Sequence, residues 1–170
     1  MSIKVFGAIF VLVASGLMGF KLSRAYTLQV HQLEQLIQSF EYIKCEMQYR
    51  MTSLTMQFQQ CSTFTDGAIS SFFAEMVIEL ESQINPNAGY CLNAVLGRMK
   101  SLSPAAAAVL RNFGQTLGCF DLRGQLICLE DTITYSQDTL KRLKDNYTNK
   151  TRNYQTLGLS AGAALIILFI

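Results

Sequence analysis

His31 is the only histidine in a chain of 170 residues, and that single count removes several chemistries. A metal centre built on imidazoles is excluded, and a Ser–His or Cys–His couple has one candidate base. His31 falls on the polar side of a helical pattern, so the expectation is a solvated surface side chain. Cys45, Cys61, Cys91, Cys119 and Cys128 are odd in number and form no C-x-x-C pair. Zinc and dithiol redox sites are unsupported, and buried or half-buried reduced thiols are expected. Glu130 and Asp131 point around a helix rather than into one cleft, and Glu41 and Glu46 are poorly aligned, so neither pair makes a carboxylate dyad. Gly114, Gly118 and Gly124 lack the G-x-G-x-x-G spacing, and no Lys-Ser or Lys-Thr pair follows them at P-loop spacing, which removes the phosphate loops. The basic residues from Lys141 to Arg152 are interleaved with acids, and Phe72 and Phe73 belong to an apolar stripe rather than a stacking platform. The expectation is a protein without catalytic centre, cofactor, metal, small-molecule substrate or nucleic-acid partner, working through protein–protein contact.

The elements that would position any of these residues are helical. From Tyr26, Leu33, Phe40, Met47 and Leu54 recur every seven residues, with Leu36 and Ile43 between them and Gln29, Gln32, Gln38, Glu41 and Gln48 on the other faces. That pattern is an amphipathic helix with a near-heptad seam. Thr52-Ser53 is a candidate break, since either hydroxyl caps a following turn. Ser62 to Gly67 reads as a loop. Ile69, Phe72, Phe73, Met76, Val77, Leu80 and Ile84 then form the cleanest amphipathic stripe in the chain. Asn85 to Gly89 ends it, and a shorter helix follows through Leu92, Val95, Leu96 and Met99. Ser103 and Pro104 have the identities of N-cap and first helical residue of another helix, which ends at Leu117.

The stretch from Phe113 to Gln125 reads as a tight helix–helix corner. Leu117 is the last periodic residue, Gly118 supplies a left-handed stop, Asp121 offers a carboxylate to the next first turn, and Leu122 opens a new stripe. Leu126, Ile133, Leu140, Tyr147 and Tyr154 again fall seven apart, flanked by Leu122, Leu129 and Leu143, with Asp138–Arg142 and Lys141–Asp145 as i,i+4 pairs on the outer face. No proline follows Pro104, so this helix has no reason to stop before the end. Residues 121–153 alone span about 50 Å if straight.

Half of the residues are hydrophobic and 15% are charged, with the apolar excess at the two ends. Residues 3–20 and 155–170 each read as a membrane span, slightly short of the ~20 residues of a full crossing. A cleaved signal peptide competes for the first run, but Lys21 and Arg24 directly after it favour a retained anchor. The basic residues that follow the first run and precede the second keep residues 26–153 in the cytoplasm and both termini outside. Ser15-x-x-x-Gly19 and Gly158-x-x-x-Gly162 allow close helix approach in lipid, either between the two spans or with another chain, a second copy included. The expected fold class is all-α: an antiparallel bundle of five or six helices held between two terminal transmembrane helices.

At this point the residues resemble a known family. Phe113-Gly114-x-Thr116-Leu117-Gly118-x-x-Asp121-x-x-x-Gln125 is similar to the signature corner of the stage III sporulation protein AB family, a corner that also carries Arg123 as an exposed candidate for partner contact. Glu46-Met47-Gln48-Tyr49 with Thr52 and Leu54 resembles its first-helix motif, and Tyr154-x-x-Leu157-Gly158-x-x-Ala161-Gly162 the start of its second span. Family members commonly carry Pro where Ser53 stands and an acid where Lys44 stands. The resemblance implies an endospore-forming bacterium and a two-pass protein of the mother-cell membrane facing the forespore. It implies a cytoplasmic bundle similar to the inner-membrane platform domains of type II secretion and type IV pilus machines. It also implies the partners: a cytoplasmic ATPase of the sporulation complex, the other membrane components of that channel complex, and membrane lipid. A different class of function, a two-span signalling protein relaying through its helical hairpin, is permitted by the heptad seams. Against it, only Met1-Ser2 precede the first run, which leaves little outside the membrane to sense with.

Overall fold

Polar breaks, rather than prolines, divide the chain. The computed structural model describes the backbone of residues 2–50, 52–82, 87–117 and 122–169, and the side chains of 24–50, 52–82, 87–115, 117 and 123–147. The described residues form six helices and no strand: α1 (Ser2–Tyr49), α2 (Leu54–Phe64), α3 (Gly67–Glu81), α4 (Ala88–Arg98), α5 (Pro104–Thr116) and α6 (Leu122–Phe169). The first and last are continuous helices of 48 residues, about 72 Å each if straight. They pack antiparallel along each other, and α5 lies against both. The α2–α3 hairpin covers another side of α1, and α4 joins α3 to α5.

Each break has a local cause. Ser53, in extended backbone, accepts the Met56 N–H on its hydroxyl and starts α2, so the seven-residue repeat from Leu33 to Leu54 crosses two helices rather than one. The loop expected over 62–67 contracts to Thr65 and Asp66. Ser62 and Thr63 stay helical, turning their hydroxyls back onto the carbonyls of Gln59 and Gln60. Thr65 closes α2 by donating both its N–H and its hydroxyl to the Cys61 carbonyl. Gly67, at φ 55°, takes the left-handed conformation that lets α3 start at once. Asn87 caps α4 through the Gly89 N–H, and Ser103 caps α5 through the Ala106 N–H with Pro104 in the first turn. Leu117 leaves α5 in extended backbone; Gly118 and Asp121, the expected stop and cap, lie outside the described residues.

The core follows the apolar stripes. Leu33, Leu36, Phe40 and Ile43 of α1 meet Phe58, Phe72, Phe73, Met76, Leu92, Val95, Leu110, Phe113 and Leu129. Phe40 lies against Phe113 with ring centroids 4.7 Å apart, and Phe73 touches both Phe58 and Phe72. Each such side chain, fully buried, contributes roughly 1.5–3 kcal/mol. Among the described residues no helix is long and apolar enough to cross a membrane. The runs 3–20 and 155–170, with Ser15, Gly19, Gly158 and Gly162, lie outside the described side chains.

Candidate functional site

The antiparallel register of α1 and α6 determines which motifs meet. Tyr26 stacks on Tyr147 at 3.7 Å, Glu34 accepts from Lys144 at 2.8 Å, and Lys44 donates to Glu130 at 2.7 Å. Extending that register brings Tyr49 level with Gln125. The first-helix motif and the corner therefore share the end of the bundle remote from the termini. Among the described residues the ion pairs of α6, Lys44–Glu130 and Lys144–Glu34, run across to α1, not along α6 as Asp138–Arg142 and Lys141–Asp145 were expected to do.

Within the first-helix motif the residues divide by role. Glu46 is only 6% exposed. Its carboxylate accepts the Thr52 hydroxyl at 2.6 Å and the Arg50 guanidinium at 3.3 Å. Gln57 donates its amide to the Thr52 carbonyl at 2.8 Å. Glu46 thus ties down the turn from α1 to α2. Burial, and next the nearby Glu46 charge, push the Tyr42 phenol up from its ordinary value. Leu54 packs partly buried against the core. Tyr49 is 79% exposed and points away from it.

At the corner, Phe113 is a core residue and Leu117 is buried, while Arg123 is exposed and Gln125 half-buried. Gly114 has a packing reason. A Cβ there would sit 2.7 Å from Leu92 Cδ2, and one on Gly89 would sit 2.6 Å from the Gly114 carbonyl oxygen. The backbones of α4 and α5 cross at these two glycines. A hollow of about 150 Å³ opens beside the crossing, lined by Asn87, Tyr90, Asn93, Gln115 and Leu117. Tyr90 is 70% exposed at its edge. A second hollow of about 330 Å³ lies in the α1–α6 groove around the Lys44–Glu130 pair, with Glu41, Cys45, Gln48 and Gln137 on its walls.

Polar clusters at the other end of α1 went unread in the sequence. His31 is not simply solvated: Nε2 lies 3.1 Å from Asp66 Oδ1 and 2.9 Å from the Gln35 amide nitrogen, and Gln35 donates to Asp66 at 2.6 Å. Gln35, and after it His31, hold the Asp66 carboxyl below its ordinary value. Asp66 occupies the N-cap position of α3 yet makes no side-chain cap bond, because its carboxylate serves α1 instead. Gln32, expected on a polar face, is buried. It donates to the Ser101 carbonyl at 3.2 Å and accepts the Ser103 N–H at 2.7 Å, fixing the α4–α5 connection. One signal was available: positions 32, 35, 39, 43 and 46 recur at helical spacing as one stripe.

The four described thiols do not converge, and Cys119 lies outside the described residues. Cys61 and Cys91 are buried, Cys128 is half-buried and Cys45 is exposed, which departs from the buried or half-buried expectation for Cys45. Burial drives the Cys61 thiol up to about 12. Among the described residues no group of three or more His, Cys, Asp or Glu side chains is placed to hold a metal ion.

The fold and its two shared-end motifs define a class: an all-helical bundle carried on two long antiparallel helices. The stage III sporulation protein AB family model matches residues 4–170, and the chain belongs to that family. It is 25% identical over 171 residues to stage III sporulation protein AB of Bacillus subtilis (strain 168), covering 99% of each chain. A solved structure of a stage III sporulation protein AB superposes with a TM-score of 0.62 at 21% identity, covering 72% of this chain and 98% of that one. The family places this protein in sporulation.

Proposed function

We propose that this protein is a non-catalytic membrane platform that couples a cytoplasmic ATPase to the channel joining mother cell and forespore. The observation that carries this reading is the separation of two ends along two continuous 48-residue helices. One end carries Tyr49 and the corner residues; the other continues into the apolar runs 3–20 and 155–170. A displacement of the distal end is carried along α1 and α6 without a hinge, because neither helix is interrupted. The ion pairs and the Tyr26–Tyr147 stack hold the two helices in register as it passes. The ATPase enters through the family resemblance, and exposed Tyr49 and Arg123 are the side chains assigned to its contact.

The test is recovery of the ATPase with the full chain from sporulating cells. Tyr49→Ala combined with Arg123→Glu is expected to abolish recovery while membrane content and helical circular dichroism stay at wild-type levels. Undiminished recovery would remove this face from the reading. A chain lacking residues 26–153 but keeping both terminal runs should neither recover the ATPase nor support spores. Success of that deletion would end the platform proposal.

A further inference from the structure

Three side chains meet where the α2–α3 hairpin turns over against α1. Asp66 sits at the turn, and His31 and Gln35 stand one helical turn apart on α1. Gln35 is buried and Oε1 of its amide has no partner, so the amide is held through its nitrogen alone. That nitrogen lies 2.6 Å from Asp66 Oδ1 and 2.9 Å from His31 Nε2. The amide cannot lie the other way round, because Oε1 would then face a carboxylate oxygen, acceptor against acceptor. One N–H goes to Asp66 and the other to His31, so neutral His31 presents a lone pair at Nε2 and carries its hydrogen on Nδ1. Nε2 is also 3.1 Å from Asp66 Oδ1 and 3.4 Å from Oδ2. It cannot accept from Gln35 and donate to Asp66 at once. Protonation therefore changes its partner: Nε2–H turns from the amide, donor against donor, to carboxylate oxygens already within reach.

We propose that His31, Gln35 and Asp66 form a proton-operated latch on the tip of the α2–α3 hairpin. Gln35 alone ties the tip to α1 when His31 is neutral, and protonated His31 adds a second, stronger tie. The trade favours the protonated form. The bond lost, from Gln35 to the ring, is neutral, whereas the one gained joins opposite charges, and such bonds are roughly twice as strong. Gln35, and after it His31, hold the Asp66 carboxyl below its ordinary value, so it stays ionised while an imidazole titrates between about pH 5 and 8. A histidine that gains a partner on protonation stabilises in mild acid, and that contribution is lost as pH rises. Few other charges face the ring. Glu34 of α1 and Lys144 of α6 bond to each other, Asp145 is the other charged residue of α6 at that level, and Arg24 lies two turns back. Helix α2 carries no charge, and Glu75 is more than two turns into α3. The α5 charge, Arg111, is level with the Phe40–Phe113 contact, roughly 13 Å along α1. Two further links join the hairpin to α1, Cys61 Sγ on the Ser39 carbonyl and the Phe64 ring on Tyr42. Burial pushes both titratable groups up, the thiol to about 12, so neither changes charge in that range.

His31 is the single histidine, so nitrogen NMR of the full chain in nanodiscs reads it directly. In mild alkali the neutral ring should be the Nδ1–H tautomer. A majority of Nε2–H would mean that Gln35 does not donate to the ring, and overturns the latch. The second measurement is amide hydrogen exchange at about pH 5.5 and about pH 7.5, within the imidazole range, with times scaled to the intrinsic rate. Thr65 and Ser70 have their N–H groups bonded on either side of Asp66. They should be protected about two- to threefold more at the lower pH, a small factor because the His31–Asp66 pair is more than half exposed. The increment should vanish in H31Q and in D66N, and α5 should show none in any of the three chains. Equal protection at the two pH values, or an increment that survives H31Q, overturns the proposal. An increment of equal size in α5 overturns it too, because the whole bundle would then be responding.

Discussion

Gly89 and Gly114 look alike in the sequence but carry different loads. A methyl on Gly89 would meet backbone, the Gly114 carbonyl at 2.6 Å, and the Asn87 cap oxygen at 3.1 Å. The carbonyl cannot yield without moving a helix, and the Asn87 side chain can turn aside only by giving up its bond to the Gly89 N–H. A methyl on Gly114 would meet the tip of Leu92, which can rotate, and alanine also regains the ~1 kcal/mol that glycine costs inside a helix. Gly89→Ala is therefore expected to destabilise by about 1–3 kcal/mol and Gly114→Ala by much less. Thermal midpoints of the full chain in detergent would show the difference; equal midpoints would mean the helices separate freely at the crossing. Asp66 supplies a second residue-scale prediction, through pH. Its folded pKa is depressed, by Gln35 first and His31 next, so the stability it adds is present above the ordinary carboxylate value of 3.8 and lost as pH falls through the folded value. Asp66→Asn should lower stability at neutral pH, and the gap to wild type should close in acid. A gap that stayed constant down to strongly acid pH would exclude ionisation as its source.

At the scale of the element, what holds α1 to the α4–α5 connection is one amide. Gln32→Leu would fill the space but leave the buried Ser103 N–H without its partner, at about 1–3 kcal/mol, while the Ser101 carbonyl, on an exposed residue, can turn to water. Hydrogen exchange would show the loss concentrated in the first turn of α5; uniform weakening of all helices would instead mean that Gln32 matters only to packing. The same residue shows where the sequence stopped being legible. Caps at Ser53 and Ser103 and the stripe from Ile69 to Met76 were readable because their partners lie within one or two turns. Gln32 finds its partners 69 and 71 positions away, and Gln35 finds Asp66 at 31. A glutamine that will be buried looks like any solvated one until distant chain arrives. The Gly89–Gly114 crossing was hidden for the same reason, whereas Glu46 and Phe113 stood out through the family motif before their packing could be known.

Taken as a whole molecule, the bundle works in the proposed way only if residues 26–153 lie on the ATPase side of the membrane, and the thiols can report this. Thiol reagents attack the thiolate, and they must first reach it. Cys61 fails on both counts, being buried and driven up to about 12, and Cys91 is buried as well. Cys45 is exposed on the wall of the α1–α6 groove and is the usable reporter. In intact cells a membrane-impermeant maleimide should leave Cys45 unmodified. Permeabilising the cells should then expose it within minutes, with Cys61 still protected until the protein is denatured. A cysteine appended after Ile170 should show the opposite order, reacting before permeabilisation. Mass spectrometry of the tryptic peptides separates these sites in one experiment. Modification of Cys45 in intact cells would put the bundle outside, out of reach of any cytoplasmic ATPase. Reaction of Cys61 together with Cys45 would show a different failure, an opened bundle, because that sulfur is fully buried against the Ser39 carbonyl while the bundle is closed.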